Sequence, residues 1–336
     1  LYPQQWYIPA VHADAVWDSV QGKDTTQVIA ILDTGIDWLH PDLSPNVWIN
    51  PGEIPGNGVD DDGNGYTDDV RGWDFVNNDN NPMDDNGHGT HVAGIAAARG
   101  NNSIGISGIS PRAKIMALKV FQANGYGNAA TIAQGINYAA AAGATILNMS
   151  FGSYGRSFTM ETALQNAYLT AVLVAAAGND HKSIYSSNPM DPTLFYPAGL
   201  PYVLGVQANA DFSNYDPDGP IYSAYADGFN YELTAPGSEL LSTFRNGTYK
   251  TLSGTSMAAP CVSGAVALYR AFYPARSNED LWGDLIHTSS GIINIQQAMF
   301  NTIKYPVFDL LATTVVDTLA GDDRDGQADA GETIQL

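Results

Sequence analysis

The sequence predicts an α/β fold: a three-layer, doubly wound, mostly parallel sheet, followed by the start of a β-rich C-terminal segment. Three observations predict it. Short, continuous apolar runs recur along the chain, as in strands buried on both faces. Alanine-rich stretches with helical spacing separate them. From about Tyr305 this alternation gives way to β-branched residues over 307–319 and then to an acidic turn.

Taken in order, residues 27–32 (QVIAIL) predict the first strand, which runs into Asp-Thr-Gly. A helix over 88–98, a strand over 114–120 and a helix over 129–141 follow. The pattern repeats as strand 145–149, helix 161–170, strand 171–176 and strand 203–207. A long helix starts near Thr255 and runs to Ala271, with Pro274 soon after as a stop signal. Strand–helix alternation of this kind covers a parallel sheet on both faces. Residues 48–81 break the rhythm. They are rich in Asn, Asp, Gly and Pro, lack an apolar period, and predict a long ordered loop of the kind that carries function. The expected organisation is a main domain over 1–304 and a β-rich segment over 305–336, the opening of a second domain or a docked tail of the first.

Composition narrows the function. With 44% apolar residues the 336-residue chain can bury a sizeable core. Fourteen Lys+Arg against 35 Asp+Glu give a net charge of −21, which excludes a cationic phosphate-binding face and so argues against nucleic acid. The longest aliphatic run, residues 171–177, is far short of the ~20 residues of a membrane span. The lone cysteine, Cys261, excludes an intrachain disulfide, and calcium is a common alternative staple. Cys261 reads as a small buried residue, and His91 and Asp37 as structural.

Three segments carry chemistry. Asp33-Thr34-Gly35 ends the first strand, where parallel sheets place ligands. Asn86-Gly87-His88-Gly89-Thr90-His91 opens a helix, and Ser253-Gly254-Thr255-Ser256-Met257 opens another. A serine hydroxyl needs a base within hydrogen-bond reach, a histidine titrates in the right range, and a carboxylate behind it holds its tautomer. Singly, each residue reads as a turn or cap residue. Together, in the chain order Asp, His, Ser, they read as a catalytic triad.

The segments AILDTGID, NGHGTHVAGI and GTSMAAPCVSG make the sequence resemble the subtilisin-like serine proteases, over about residues 6–300. The resemblance implies that Asp33 orients, His88 acts as base and Ser256 as nucleophile. It implies that Asn179, after Ala177-Gly178, donates to the oxyanion. It implies that extended peptides pair with Gly125-Tyr126-Gly127 and Ser150-Phe151-Gly152. The pocket for the residue before the cut would be walled by Ser150–Gly152, Ala177, Gly178 and Tyr196-Pro197-Ala198. Phe195 falls where the family tunes pocket depth, its ring turned in or swung out. Protein or peptide substrates, a removed N-terminal propeptide, secretion and a monomer follow from the same resemblance.

Calcium is expected on separate grounds. Asp60, Asp62, Asn64, the Tyr66 carbonyl and Asp68 match the spacing of an EF-hand loop with Gly65 at its sixth position, while Arg71 stands where the bidentate Glu should be. Asp69, or a residue from elsewhere, would complete the shell. The resemblance implies a second site at Asp42, Asn102, Ile104 and Ile106, with Gln4 or Gln5 as a further donor. Asp323, Asp325 and Asp329, with Glu332, form a weaker third candidate. The rival readings are an inactive scaffold or calcium-dependent adhesin, a narrow-specificity processing protease, and an acid peptidase with Glu as base, which His88 argues against.

Overall fold

Buried parallel strands need apolar residues on both faces, and the first predicted run supplies them. In the structure, a computed structural model that describes residues 1–20, 23–184, 194–216, 231–289 and 291–300, it becomes β1 (Val28–Asp33). A short helix α1 (Tyr7–Ala10) precedes it. The chain continues through β2 (Gly72–Asp74), α2 (His88–Ala97), β3 (Lys114–Lys119), α3 (Ala129–Ala141) and β4 (Ile146–Met149). Next come α4 (Phe158–Tyr168), β5 (Val172–Ala176), β6 (Leu204–Ala208) and β7 (Leu233–Ala235). A hairpin of β8 (Leu240–Phe244) and β9 (Thr248–Leu252) leads to α5 (Thr255–Phe272), α6 (Asn278–His287) and α7 (Ile295–Phe300). These elements belong to one compact unit, Leu1–Asn301. The expected β-rich segment lies outside the described residues, as do Asp323, Asp325 and Asp329.

The sheet order is β2-β3-β1-β4-β5-β6-β7, with every pair parallel. Alternate residues face opposite layers. Ile29, Ile31, Val172 and Val174 share one core with Val92 and Ile95 of α2 and Val262 and Val266 of α5. Ala30, Leu32, Leu147 and Leu173 share the other with Ile132 and Ile136 of α3 and Leu164 of α4. The outer helices start on side-chain caps: Asn128 accepts from the Thr131 amide, and Ser157 from that of Met160. From β1 the chain builds outward to β3 and β2 on one side and to β4–β7 on the other. The carboxyl ends of β1, β3 and β4 therefore meet at the point where strand order reverses, the usual crevice for a ligand.

Strands β2 and β7 and the β8–β9 hairpin were not predicted. The first two are three residues long, too short for a period to emerge. Strand β2 lies inside the predicted 48–81 loop and pairs with β3 through Gly72 and Ala117.

Candidate active site

The end of β1 and the start of α2 face each other across a short gap. Asp33 is buried, and its two carboxylate oxygens lie 2.8 and 2.9 Å from His88 Nδ1, while the Thr34 amide donates to Oδ1 at 2.7 Å. Asp84 locks this pairing. Its carboxylate accepts from the amides of Asn86, Gly87 and Thr90, which precede and open α2, and from the hydroxyls of Thr90 and of Thr34 beside Asp33. Gly89 permits the approach: a Cβ there would stand 2.1 Å from the Gly35 carbonyl oxygen. Buried Lys119, at the end of β3, donates to the carbonyls of Thr34 and Phe121 and to Asp85. Asp84 and Lys119 were not singled out in the sequence, because their partners lie on other strands and helices.

Burial pulls the His88 pKa down. The charge and hydrogen bond of Asp33, with help from the Asp84 charge, outweigh it, and the net value stands above the ordinary 6.5. His91, one turn on, differs. Its Nε2 donates to the carbonyls of Leu240 (3.1 Å) and Lys250 (2.9 Å), its Nδ1 has no partner among the described residues, and burial pushes its pKa down to about 4. It is a neutral structural tie between α2 and the β8–β9 hairpin.

Ser256 is the second residue of α5. Its hydroxyl donates to the Ser150 carbonyl at 3.0 Å, and the Ser150 hydroxyl donates to the Ser256 carbonyl at 2.9 Å. The serine is thus joined to Ser150 rather than hydrogen-bonded to His88. Ser150 and His88 line a common cleft of about 230 Å³ with Asp33, Phe121, Gly125 and Phe151. Asn179 follows β5. Its Oδ1 accepts from both the amide (2.8 Å) and the hydroxyl (3.0 Å) of Thr255. Two donors on one oxygen fix which end of the amide is which, so Nδ2 is the end left to donate to a ligand.

Around the cleft, Gly125 and Tyr126 form a tight loop, Gln122 N donating to the Tyr126 carbonyl and Gly125 N to that of Gln122. Tyr126 is exposed, and Gly127 lies against the Phe121 ring. Segment 194–200 docks on segment 150–155 through reciprocal backbone bonds between Ser153 and Tyr196. Pro197 follows a cis peptide bond there, and the Ala177 carbonyl accepts from Asn214. The Phe195 ring turns inward and touches both Gly152 and Gly178.

Comparison with known proteins decides the family. A model of the Subtilase family matches residues 24–327. The chain belongs to the subtilase family. It is 36% identical to thermitase of Thermoactinomyces vulgaris over 269 residues, 80% of this chain and 82% of that protein. It is 36% identical to subtilisin Savinase of Lederbergia lenta over 305 residues, 87% and 97% of the two chains. A thermophilic serine proteinase of Bacillus sp. (strain AK1) is 38% identical over 264 residues, 76% of this chain, which spans about half (55%) of that relative's length. The matched region is a serine endopeptidase domain.

The acidic loop of this subtilase is ordered by its own carboxylates. Asp60 accepts from the amides of Gly63, Asn64 and Gly65, and Asp62 from the amide of Asn64 and the side chain of Asn50. One oxygen from each of Glu53, Asp60 and Asp62 lies within 4.8 Å of the others. The loop departs from the predicted spacing at Asp68, whose carboxylate turns away to accept from the amides of Gly56, Asn57 and Gly58. Asp69 is spent on Asn50, Asn64 and the Tyr138 hydroxyl. Glu53, seven residues before the motif, escaped the sequence reading for that reason. Tyr66 anchors the loop, its ring edge-on to Trp73 and Tyr138 with centroids 5.1 Å away.

At the second predicted site, Asp42 accepts from the side-chain amide of Asn102, the Ile106 amide and the Tyr249 hydroxyl, each at 2.8 Å. Asn102 Oδ1 accepts from the Ile104 amide. Gln5, rather than Gln4, reaches this loop, through two bonds to the Ser107 backbone. Among the described residues no helix is long and apolar enough to cross a membrane.

Proposed function

We propose that this subtilase hydrolyses peptide bonds through an acyl-enzyme, with Ser256 as nucleophile, His88 as general base and then acid, and Asp33 as the orienting carboxylate. The observation that carries the reading is the Asp33–His88 pair at 2.8 Å, which lines one cleft with Ser150, the residue whose carbonyl accepts from the Ser256 hydroxyl. Nδ1–H donates to Asp33, which leaves Nε2 unprotonated to accept the serine proton. The Ser256 hydroxyl turns from the Ser150 carbonyl to Nε2 as substrate enters. Its Oγ attacks the scissile carbonyl, His88 passes the proton to the leaving amine, and water then repeats the sequence on the ester. Asn179 Nδ2 and the Ser256 amide would receive the charge that develops on the carbonyl oxygen. An extended substrate would add as a strand along Gly125–Gly127 and Ser150–Gly152, with Pro197 and Ala177 behind the pocket.

Calcium would sit at Glu53, Asp60 and Asp62, with Asn64 and the Tyr66 carbonyl close by in sequence. The donors are all hard oxygens and their mutual repulsion calls for a cation, so the set fits the ion. A second ion would sit at Asp42, Asn102 and the carbonyls of Ile104 and Ile106. The role of either is structural. Secretion, a removed propeptide, a monomeric state and a boundary near residue 304 belong to the same reading.

A fluorophosphonate probe tests it. Wild-type protein in calcium should be labelled and Ser256→Ala should not, and labelling should fall when EGTA is added. A wild-type chain that takes no probe in calcium, while folded, would favour the inactive-scaffold reading.

A further inference from the structure

The substrate residue that supplies the scissile carbonyl has little freedom in where its side chain goes. Its carbonyl carbon must come within about 3 Å of Ser256 Oγ, and its oxygen must face Asn179. Ser256 Oγ is 3.0 Å from the Ser150 carbonyl, and Asn179 directly follows Gly178. With the substrate strand laid along Ser150–Gly152 as proposed above, the residue lies beside the gap between segments 150–152 and 177–179, and that gap receives its side chain.

A side chain of the protein already fills it. A Cβ built on Gly152 would meet the Phe195 ring at 2.3 Å (Cε1) and 2.6 Å (Cδ1). One built on Gly178 would meet the same ring at 3.2 Å (Cδ1 and Cγ). A single phenyl ring thus rests on the bare backbone of both walls. It is also held from behind. Tyr154 packs edge-on at 5.1 Å between centroids, and is itself fixed by bonds from its hydroxyl to Asp180 (2.8 Å) and from Asn214 (3.0 Å). The backbone cannot drift either: Phe195 N donates to the Tyr231 hydroxyl, Gly199 N donates to the Phe195 carbonyl, and Tyr196 is paired with Ser153. Moving the ring out would break the Tyr154 contact and expose its apolar surface to water.

We infer that Phe195 determines specificity by flooring this pocket, so that the enzyme cuts after residues with small side chains (glycine, alanine, serine) and rejects phenylalanine, tyrosine and leucine at that position. This rests on the Asp33–His88–Ser256 mechanism proposed above. A pocket that lacks room for even one or two carbons discriminates by about 10–200-fold per methylene, and a phenyl ring has no space at all.

The test is a peptide series identical except at the residue before the cut, with products read by mass spectrometry and active enzyme counted by probe titration. Wild type should cleave after alanine at least about 100-fold faster, in kcat/KM, than after phenylalanine. Phe195→Gly and Phe195→Ala should raise the ratio of cleavage after phenylalanine to cleavage after alanine by a similar factor. The wild-type profile decides even if a variant does not fold, which loss of probe labelling would reveal. Probe-labelled wild type that cleaves equally well after phenylalanine and alanine overturns the role of Phe195 and leaves the mechanism standing. Folded wild type that takes no probe overturns both.

Discussion

At His88, burial and two carboxylates act in opposite directions on one ring. The carboxylates win, so the free enzyme holds the base protonated to a higher pH than an ordinary histidine. Only the neutral ring can accept the serine proton, so the acid limb of kcat/KM should lie above 6.5. Asp33→Asn removes the carboxylate with the larger effect on His88 and leaves burial in place. Its acid limb should move to lower pH while kcat falls by about 10⁴, the loss found when the same change is made in a Ser-His-Asp triad elsewhere. A pH–rate profile with the limb unmoved would mean that Asp33 does not set the His88 charge. The same pairing adds stability below the unfolded value near 6.5, and that contribution is lost as pH rises through the folded value. His91 works in the reverse sense. Between pH 6.5 and about 4 the unfolded chain binds a proton there that the folded chain does not, so stability is lost as the pH is lowered through that window.

Among the elements, what could be read from sequence was whatever had a period or a rigid motif. Strand β1 and helix α3 follow from their apolar patterns because buried parallel strands and two-sided helices leave no other choice of residue. Asp33, His88 and Ser256 each sit at the end of such an element, so their motifs could be found before their geometry. The direction of the Phe195 ring could not, since it depends on Gly152 and Gly178 from two other segments. The acidic loop shows the same limit. Spacing pointed to Asp68, but folding turns that carboxylate onto the amides of Gly56–Gly58 and brings Glu53 to Asp60 and Asp62. Glu53→Gln should therefore weaken calcium binding and lower Tm in calcium by several degrees, with a smaller difference from wild type in EGTA. Since a ligand at 100 times its Kd adds about 2.7 kcal/mol of stability, the effect is within reach of thermal unfolding followed by circular dichroism. A shift equal in both buffers would assign Glu53 to backbone bonding alone, through the Asp61, Asp62 and Asp68 amides it also accepts from.

For the molecule as a whole, the net charge of −21 sets up a negative field at long range before any contact is made. A peptide with lysines on either side of the cut is drawn in, and one with aspartates is repelled. Both effects act over distance, so they depend on screening: the Debye length shrinks from about 30 Å at 0.01 M salt to about 10 Å at 0.1 M. Pocket contacts made at a few ångströms are screened far less. Raising salt across this range at constant calcium should therefore lower kcat/KM for the lysine-flanked peptide, raise it for the aspartate-flanked one and leave a neutral peptide nearly unchanged. The three should converge toward a common value fixed by the pocket. Parallel changes in all three would instead mean that salt acts on the fold or on bound calcium. Divergence between peptides that differ only in flanking charge is open to the field alone, because the catalytic groups and the Phe195 pocket are the same for each.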